Sequence, residues 1–342
     1  SQGRLEALLN FQTVICDLTG LPLANCSLLD EATAAAEAAT MFFGARSRAQ
    51  VKAGANVLFV DEKVFASTLA VIHTRAIPQG MKIVTGDYKT FTFTPEVFGA
   101  IVQYPNADGS IEDYREFIDR AQENGTKVAV AADLMSLVLL TPPGEWGADV
   151  VFGSSQRFGI PMFYGGPSAA YFATKDEYKR AIPGRIIGIS KDAYGHPAYR
   201  LALQTREQHI KREKATSNIC TAQALLATMA GFYAIYHGAE GLKNIASRIH
   251  ATAGFVAKEL EKLGYKQLNK DFFDTLKIEL PANVSIDALR EIALECKVNL
   301  RYFDSGLVGI SIDETTQPTD VGVLMYIFSG AAGKDYMLQE AI

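Results

Sequence analysis

Between residues 56 and 173, short and continuously apolar runs alternate with helical patterns. The runs at 57–60, 82–84, 99–102, 127–130, 149–152 and 169–172 read as strands, and each is too uniformly apolar for a sheet with one wet face. Between two of them, Ile111, Tyr114, Ile118 and Ala121 recur at helical spacing. Ahead of them, Leu5, Leu8, Phe11, Ile15 and Leu18 form the inner stripe of an opening helix. Strands alternating with helices predict an α/β domain with a mostly parallel sheet covered on both sides.

The pattern then changes. Residues 183–214 are polar and poorly periodic, with Gly184, Gly188 and Gly195 and a dense run of charge from Arg206 to Lys214, and read as a long loop. A helix is expected to begin near Ile219, capped by Ser217 or Asn218. Leu242, Ile245, Ile249, Ala253, Val256, Leu260 and Leu263 then step by threes and fours up to Gly264, a long amphipathic helix with a glycine stop. Beyond it Leu276, Ile278 and Leu280, and Val308, Ile310 and Ile312, alternate with polar residues as strands with one solvated face. Helices at 285–297 and 318–329 complete a small α+β domain. The expected division is a large α/β domain over 1–236, the small domain over 237–330, and a tail or linker start over 331–342.

Composition narrows the class. The 342 residues carry 33 basic and 38 acidic side chains, net −5, without the basic stripe of a nucleic-acid binder. No apolar run approaches the roughly 18 residues of a membrane span, and no signal peptide precedes the first helix, so the reading is a soluble intracellular chain. Cys16, Cys26, Cys220 and Cys296 are scattered with no CxxC pair, against both a disulfide framework and a zinc site. The sequence opens on Ser1-Gln2-Gly3 and ends in a tail that reads as the start of something further, so a piece of a longer polypeptide is expected.

Several kinds of chemistry lack their motifs. There is no GxGxxG after the first strand, no phosphate loop, no HExxH and no GxSxG. His73, His196, His209, His237 and His250 show no metal-ligand spacing. Three places remain. Residues 28–38 open a helix with acidic and hydroxyl side chains, Thr33 among them, followed by alanines. That arrangement offers backbone amides to a phosphate, and it equally suits an Asp-capped helix seated closely on the sheet. Asp133 follows a strand, where a carboxylate could pair with a protonated ring nitrogen or cap a turn. The third place, 152–167, joins two strands through a glycine-rich and polar loop. A pyridoxal enzyme would carry its Schiff-base lysine there, but this loop offers Gln156 and Arg157.

The segments Ser1-Gln2-Gly3-Arg4-Leu5-Glu6, Ala24-Asn25-Cys26-Ser27-Leu28-Leu29-Asp30-Glu31, Gly153-Ser154-Ser155-Gln156-Arg157-Phe158-Gly159 and Tyr164-Gly165-Gly166-Pro167 are long and distinctive. So are Leu203-Gln204-Thr205-Arg206-Glu207-Gln208-His209-Ile210 and Lys214-Ala215-Thr216-Ser217-Asn218-Ile219-Cys220-Thr221. Together they closely resemble the N-terminal half of glycine decarboxylase, the P-protein of the glycine cleavage system, over nearly the whole chain to about Phe328. The resemblance implies a large domain of fold type I, the pyridoxal-phosphate-dependent transferases, plus a small C-terminal α+β domain. It implies decarboxylation of glycine with pyridoxal phosphate and transfer of the aminomethyl group to the lipoyl arm of H-protein.

In that family two homologous halves occur, fused or as separate subunits, and the Schiff-base lysine lies in the C-terminal one. Aligned through Phe158, Ile160 and Pro161, Gln156 takes the lysine position here, and a delocalised amide nitrogen cannot form a Schiff base. No catalytic residue is therefore expected in this chain. Asp133 and Thr33 are expected in a vestigial pocket. Thr216, Ser217 and Asn218, with Arg212 nearby, are expected to reach the cofactor phosphate of the partner half. The expected partners are that C-terminal half, lipoylated H-protein and glycine, in a homodimer or heterodimer-like assembly, in a bacterial cytoplasm or alternatively a mitochondrial matrix. A tyrosine-containing stretch precedes Ser-Gln-Gly in the family, so the isolated chain is expected to be inactive. Two rivals stand beside this reading: an independently active pyridoxal enzyme using Lys214, and a non-catalytic interaction module for H-protein.

Overall fold

The computed structural model describes residues 1–164, 166–203, 208–215 (backbone alone at 208 and 209) and 223–334. The chain divides into two compact units, Ser1–Tyr104 with Asp113–Leu242, and Pro105–Glu112 with Lys243–Ile342.

The first unit opens with helix α1 (Gln2–Thr19), closed by Gly20 in the left-handed conformation, and the short strand β1 (Leu23–Ala24). Helix α2 (Glu31–Gly44) follows, then the short α3 (Arg48–Lys52), β2 (Val57–Asp61), α4 (Ala66–Ala76), β3 (Lys82–Gly86) and β4 (Val97–Tyr104). Next come α5 (Arg115–Glu123), β5 (Lys127–Ala132), β6 (Val150–Ser154) and β7 (Ala170–Thr174). Seven strands form one sheet in the order β1-β7-β6-β5-β4-β2-β3. The five from β6 to β3 are parallel, while at the other edge β7 runs antiparallel to both of its neighbours, β6 and β1. Burial on both faces explains the uninterrupted apolar runs: every residue of β2, β4 and β7 is buried. Alanines let α2 sit close to this sheet, with Ala34, Ala35 and Ala38 fully buried beside Phe42, Leu58, Phe98 and Phe152.

Two readings of the sequence are corrected here. Residues 183–214 are not a plain loop, because β8 (Ile186–Lys191) and β9 (Pro197–Ala202) pair as an antiparallel hairpin. Its turn is closed by Asp192 and by Gly195 at φ 84°, and interleaved charges and glycines hid the alternation of Ile187 and Ile189. Helix α1 holds this hairpin through two carboxamides. Buried Gln12 accepts from Ile187 N–H (2.8 Å) and donates to Ile187 C=O (3.1 Å), and Gln2 does the same with Tyr199 (2.6 and 3.0 Å). The second correction concerns Ile111, which shared a helical spacing with Tyr114 by coincidence. It precedes α5, lies in the second unit, and donates its N–H to Asp271 C=O.

Helix α6 (Gln208–Lys211) and a 3-10 turn over Arg212–Lys214 lead to α7 (Ala224–Lys262), which is interrupted at Gly238 (φ 62°, ψ −179°). The helix start expected near Ile219, with its cap at Ser217 or Asn218, lies outside the described residues.

In the second unit, β10 (Lys266–Gln267) and β11 (Thr275–Glu279) precede α8 (Ile286–Glu295). Then β12 (Arg301–Tyr302), β13 (Leu307–Ser311) and α9 (Pro318–Ala331) complete an antiparallel sheet in the order β10-β11-β13-β12. The loop Pro105–Glu112 belongs to this unit: Ser110 bridges to Phe272, and Asp108 pairs with Lys277 at 2.9 Å. Gly109, at φ 82°, has no room for a side chain beside Thr275.

Candidate functional site

Open α/β sheets place ligand groups at the carboxyl ends of their parallel strands. In this chain Gln103 is the penultimate residue of β4, Asp133 follows β5, Ser154 ends β6, and Ser155 to Arg157 follow it. Asp133 Oδ1 accepts the N–H of Ser136 at 2.7 Å, and Oδ2 pairs with Arg157 Nη1 at 3.2 Å. The carboxylate thus caps its turn, as one of the two sequence readings has it, and its other oxygen faces a cation. That cation is the chain's own guanidinium.

Gln156 lies two residues beyond the end of β6. Its backbone N–H donates to Ser154 Oγ (3.2 Å), and its side-chain Nε2 donates to Ile160 C=O (2.8 Å), which folds the carboxamide back onto its own loop. Gly159 turns this loop at φ 73° against the ring of Tyr233, with Phe158 buried against the same ring. A side chain on Gly153 would overlap Ala132 C=O and the Tyr171 ring. Tyr171 in turn donates its hydroxyl to Ala132 C=O at 2.7 Å, and burial raises its pKa well above the ordinary value.

Thr33 is spent on the helix start. Its N–H donates to Asp30 Oδ1 at 2.7 Å, and its hydroxyl accepts from Asp30 N–H and donates to Asp30 C=O, a reciprocal cap. Beside it stands a group the sequence reading passed over. The Glu31 carboxyl is buried between the Gln103 side chain and the Ser154 N–H. Burial first, then the nearby Asp133 and Asp30, push its pKa up to about 7 against the pull of those two hydrogen bonds. Glu31 Oε1 and Gln103 Oε1 are both buried without a hydrogen-bond partner. The sequence signal for Glu31 was its place directly after an N-cap aspartate, in a segment already singled out. Gln103 gave no such signal.

Lys214 is exposed on its turn, and Arg212 is exposed beside it. Thr216, Ser217 and Asn218, expected to reach a partner's cofactor, lie outside the described residues. Among the described residues no group of three His, Cys, Asp or Glu could hold a metal ion, and no helix is long and apolar enough to cross a membrane.

This architecture is the aminotransferase fold of pyridoxal-phosphate enzymes. An aspartate aminotransferase from Thermus thermophilus matches 97% of the chain with a TM-score of 0.64 at 15% identity, a likeness of fold alone. A crystal structure of glycine decarboxylase (P-protein) of the glycine cleavage system, in inhibitor-bound form, matches far better. Its TM-score is 0.87 at 31% identity, covering 97% of this chain and 76% of that one. Residues 1–328 match the model of the glycine cleavage system P-protein family, and the chain belongs to that family.

Among curated relatives, glycine dehydrogenase (decarboxylating) of Bacteroides fragilis is 68% identical over 98% of this chain. That of Nostoc punctiforme is 58% identical over 96%. The chain spans only about a third of these relatives, 35% and 33% of their length. The stretch after β6, from Ser155 to Pro167, carries no lysine, so it offers no amine with which pyridoxal phosphate could form a Schiff base.

Proposed function

We propose that this chain is the N-terminal half of a glycine decarboxylase and supports, without performing, the decarboxylation of glycine. In this reading the C-terminal half carries the Schiff-base lysine and the pyridoxal phosphate. The aminomethyl group left after loss of carbon dioxide passes from that site to the lipoyl arm of H-protein. Thr216, Ser217 and Asn218 of this chain reach the partner's cofactor phosphate, and Asp133 and Thr33 belong to a vestigial pocket.

The observation that carries the reading is Gln156. A carboxamide stands where the amine belongs, and its nitrogen is committed to Ile160 C=O. A surface for a partner supports it further. Met162, Phe163 and Tyr164, on the loop that follows Gln156, are 69%, 73% and 109% exposed, and α7 exposes Leu225, Phe232, Ile235 and Tyr236. Apolar groups in such number on one compact unit are expected to be covered in an assembly.

The test is glycine–bicarbonate carbon exchange with H-protein present, measured for this chain, for the C-terminal half and for their mixture. Exchange is expected in the mixture and not in this chain alone. Exchange by this chain alone, lost on Lys214→Ala, would establish the rival in which Lys214 is the catalytic amine. Capture of H-protein by this chain without the other half, with no gain of exchange on mixing, would favour the interaction module.

A further inference from the structure

We infer that Arg157, Asp30 and Glu31 are specificity-determining residues that close this half to pyridoxal phosphate by occupying its charge positions with the chain's own charges. The inference rests on the reading above, that the pocket descends from a pyridoxal site, and goes beyond the missing lysine.

A pyridoxal phosphate ring presents a protonated nitrogen to a carboxylate, and its phosphate seeks backbone amides such as those at a helix N-terminus. In this chain the carboxylate is already engaged on both oxygens, by Ser136 N–H and by the Arg157 guanidinium. Arg157 and Asp133 side chains are only 21% and 26% exposed, so a pyridinium nitrogen would have to displace a largely buried cation from its anion.

The phosphate position is blocked in a different way. At the N-terminus of α2, a helix of 14 residues, the Thr33 amide and hydroxyl are both turned onto Asp30. The Asp30 carboxylate fills the place of an external anion. Behind it lie two buried oxygens without donors, Glu31 Oε1 and Gln103 Oε1. Buried acceptors that lack donors repel a dianion, which brings only more acceptors. The upward pull on Glu31 from Asp30 and Asp133 reports the same crowding of negative charge. Local charge has therefore been redistributed relative to what the cofactor needs, with the Arg157 cation at the ring position and the Asp30 carboxylate, backed by the buried Glu31 carboxyl, at the phosphate position.

Restoring the amine alone is then insufficient. Four forms of the chain separate the possibilities: the unaltered chain, Gln156→Lys, Gln156→Lys with Arg157→Met, and that pair with Glu31→Gln. Each is incubated with pyridoxal phosphate, reduced with borohydride, and scored by the visible absorbance before reduction and by peptide mass at residue 156. Thermal melting confirms that each form is folded. Gln156→Lys alone is expected to remain essentially unlabelled, and the triple variant to label at least about tenfold more, the ratio that a modest gain in binding free energy produces. Labelling of Gln156→Lys to within a factor of about two of the triple variant would overturn the inference and leave the silent-half reading intact. A folded triple variant that stays unlabelled would overturn it too. If the triple variant does not fold, the double variant decides, with more labelling than Gln156→Lys alone supporting the inference and equal labelling overturning it. Stoichiometric labelling of the unaltered chain at one side chain, with a visible absorbance band before reduction, would overturn the silent-half reading itself.

Discussion

Replacing Glu31 by glutamine tests the electrostatics of the α2 start directly. The folded chain raises this carboxyl from the ordinary 4.5 to about 7, chiefly by burial. Between those values the folded state keeps a proton that the unfolded state releases, so stability falls as pH rises through the window. A shift of that size, at 1.36 kcal/mol per pK unit, corresponds to about 3 kcal/mol lost by pH 8 and absent near pH 4. The substituting carboxamide has no proton to lose. It keeps an oxygen for the Ser154 N–H and brings a donor to the vacant Gln103 Oε1. Glu31→Gln should therefore be close to neutral near pH 4 and stabilise the first unit by about 2–3 kcal/mol at pH 8. Trp146, the single tryptophan, packs edge-on to Tyr104 in the same unit and reports urea unfolding through its fluorescence. Unfolding free energies for both forms at several pH values from 4 to 8 give the comparison. A stability difference that stays flat to within about 0.5 kcal/mol over that range would refute the argument.

Three further expectations rest on single contacts. Gly153→Ala drives a methyl into Ala132 C=O and the Tyr171 ring, and should cost about 3 kcal/mol in the same unfolding measurement. Gln12→Ala leaves both backbone groups of Ile187 without their side-chain partner, and should cost about 2 kcal/mol while speeding hydrogen exchange at the Ile187 amide. Lys297 closes α8 at φ 58°, where Val298 N–H returns to Ala293 C=O, so Lys297→Gly should raise second-unit stability by about 0.5–1 kcal/mol on thermal melting.

The sheet was legible because its inner parallel strands are hidden on both faces, which prints an unbroken apolar run such as Val57 to Val60. The amphipathic stretch ending at Gly264 was legible through its period, and Gly264 indeed turns at φ 94° after α7. The β8–β9 hairpin was not, because much of what holds it comes from α1, more than 170 residues earlier in sequence. Nor could Ile111 be told from a residue of α5, since three- and four-residue spacing does not reveal where a chain leaves one unit for another. At the candidate site, Gln156 and Asp133 were singled out through motif position and strand ends. The commitment of Asp133 to Arg157 joins positions 24 apart in sequence and is a property of the fold. Glu31 was hidden for a related reason: an acidic residue in the first turn of a helix is ordinary, and only burial makes it costly.

The two glutamine clamps of α1 have a consequence for how this protein avoids unwanted company. Ile187 and Tyr199 lie on opposite strands of a ribbon that, among the described residues, has only two, so each strand has an outer margin with no strand beside it. Such margins are templates on which foreign strands grow. By offering one carboxamide to each margin, a single helix imitates a neighbouring strand on both sides at once. It also pins the pairing frame, because a slip by one residue would turn both amides toward groups facing the wrong way. Protection against aggregation is thus built into this ribbon by two side chains, with no additional strand.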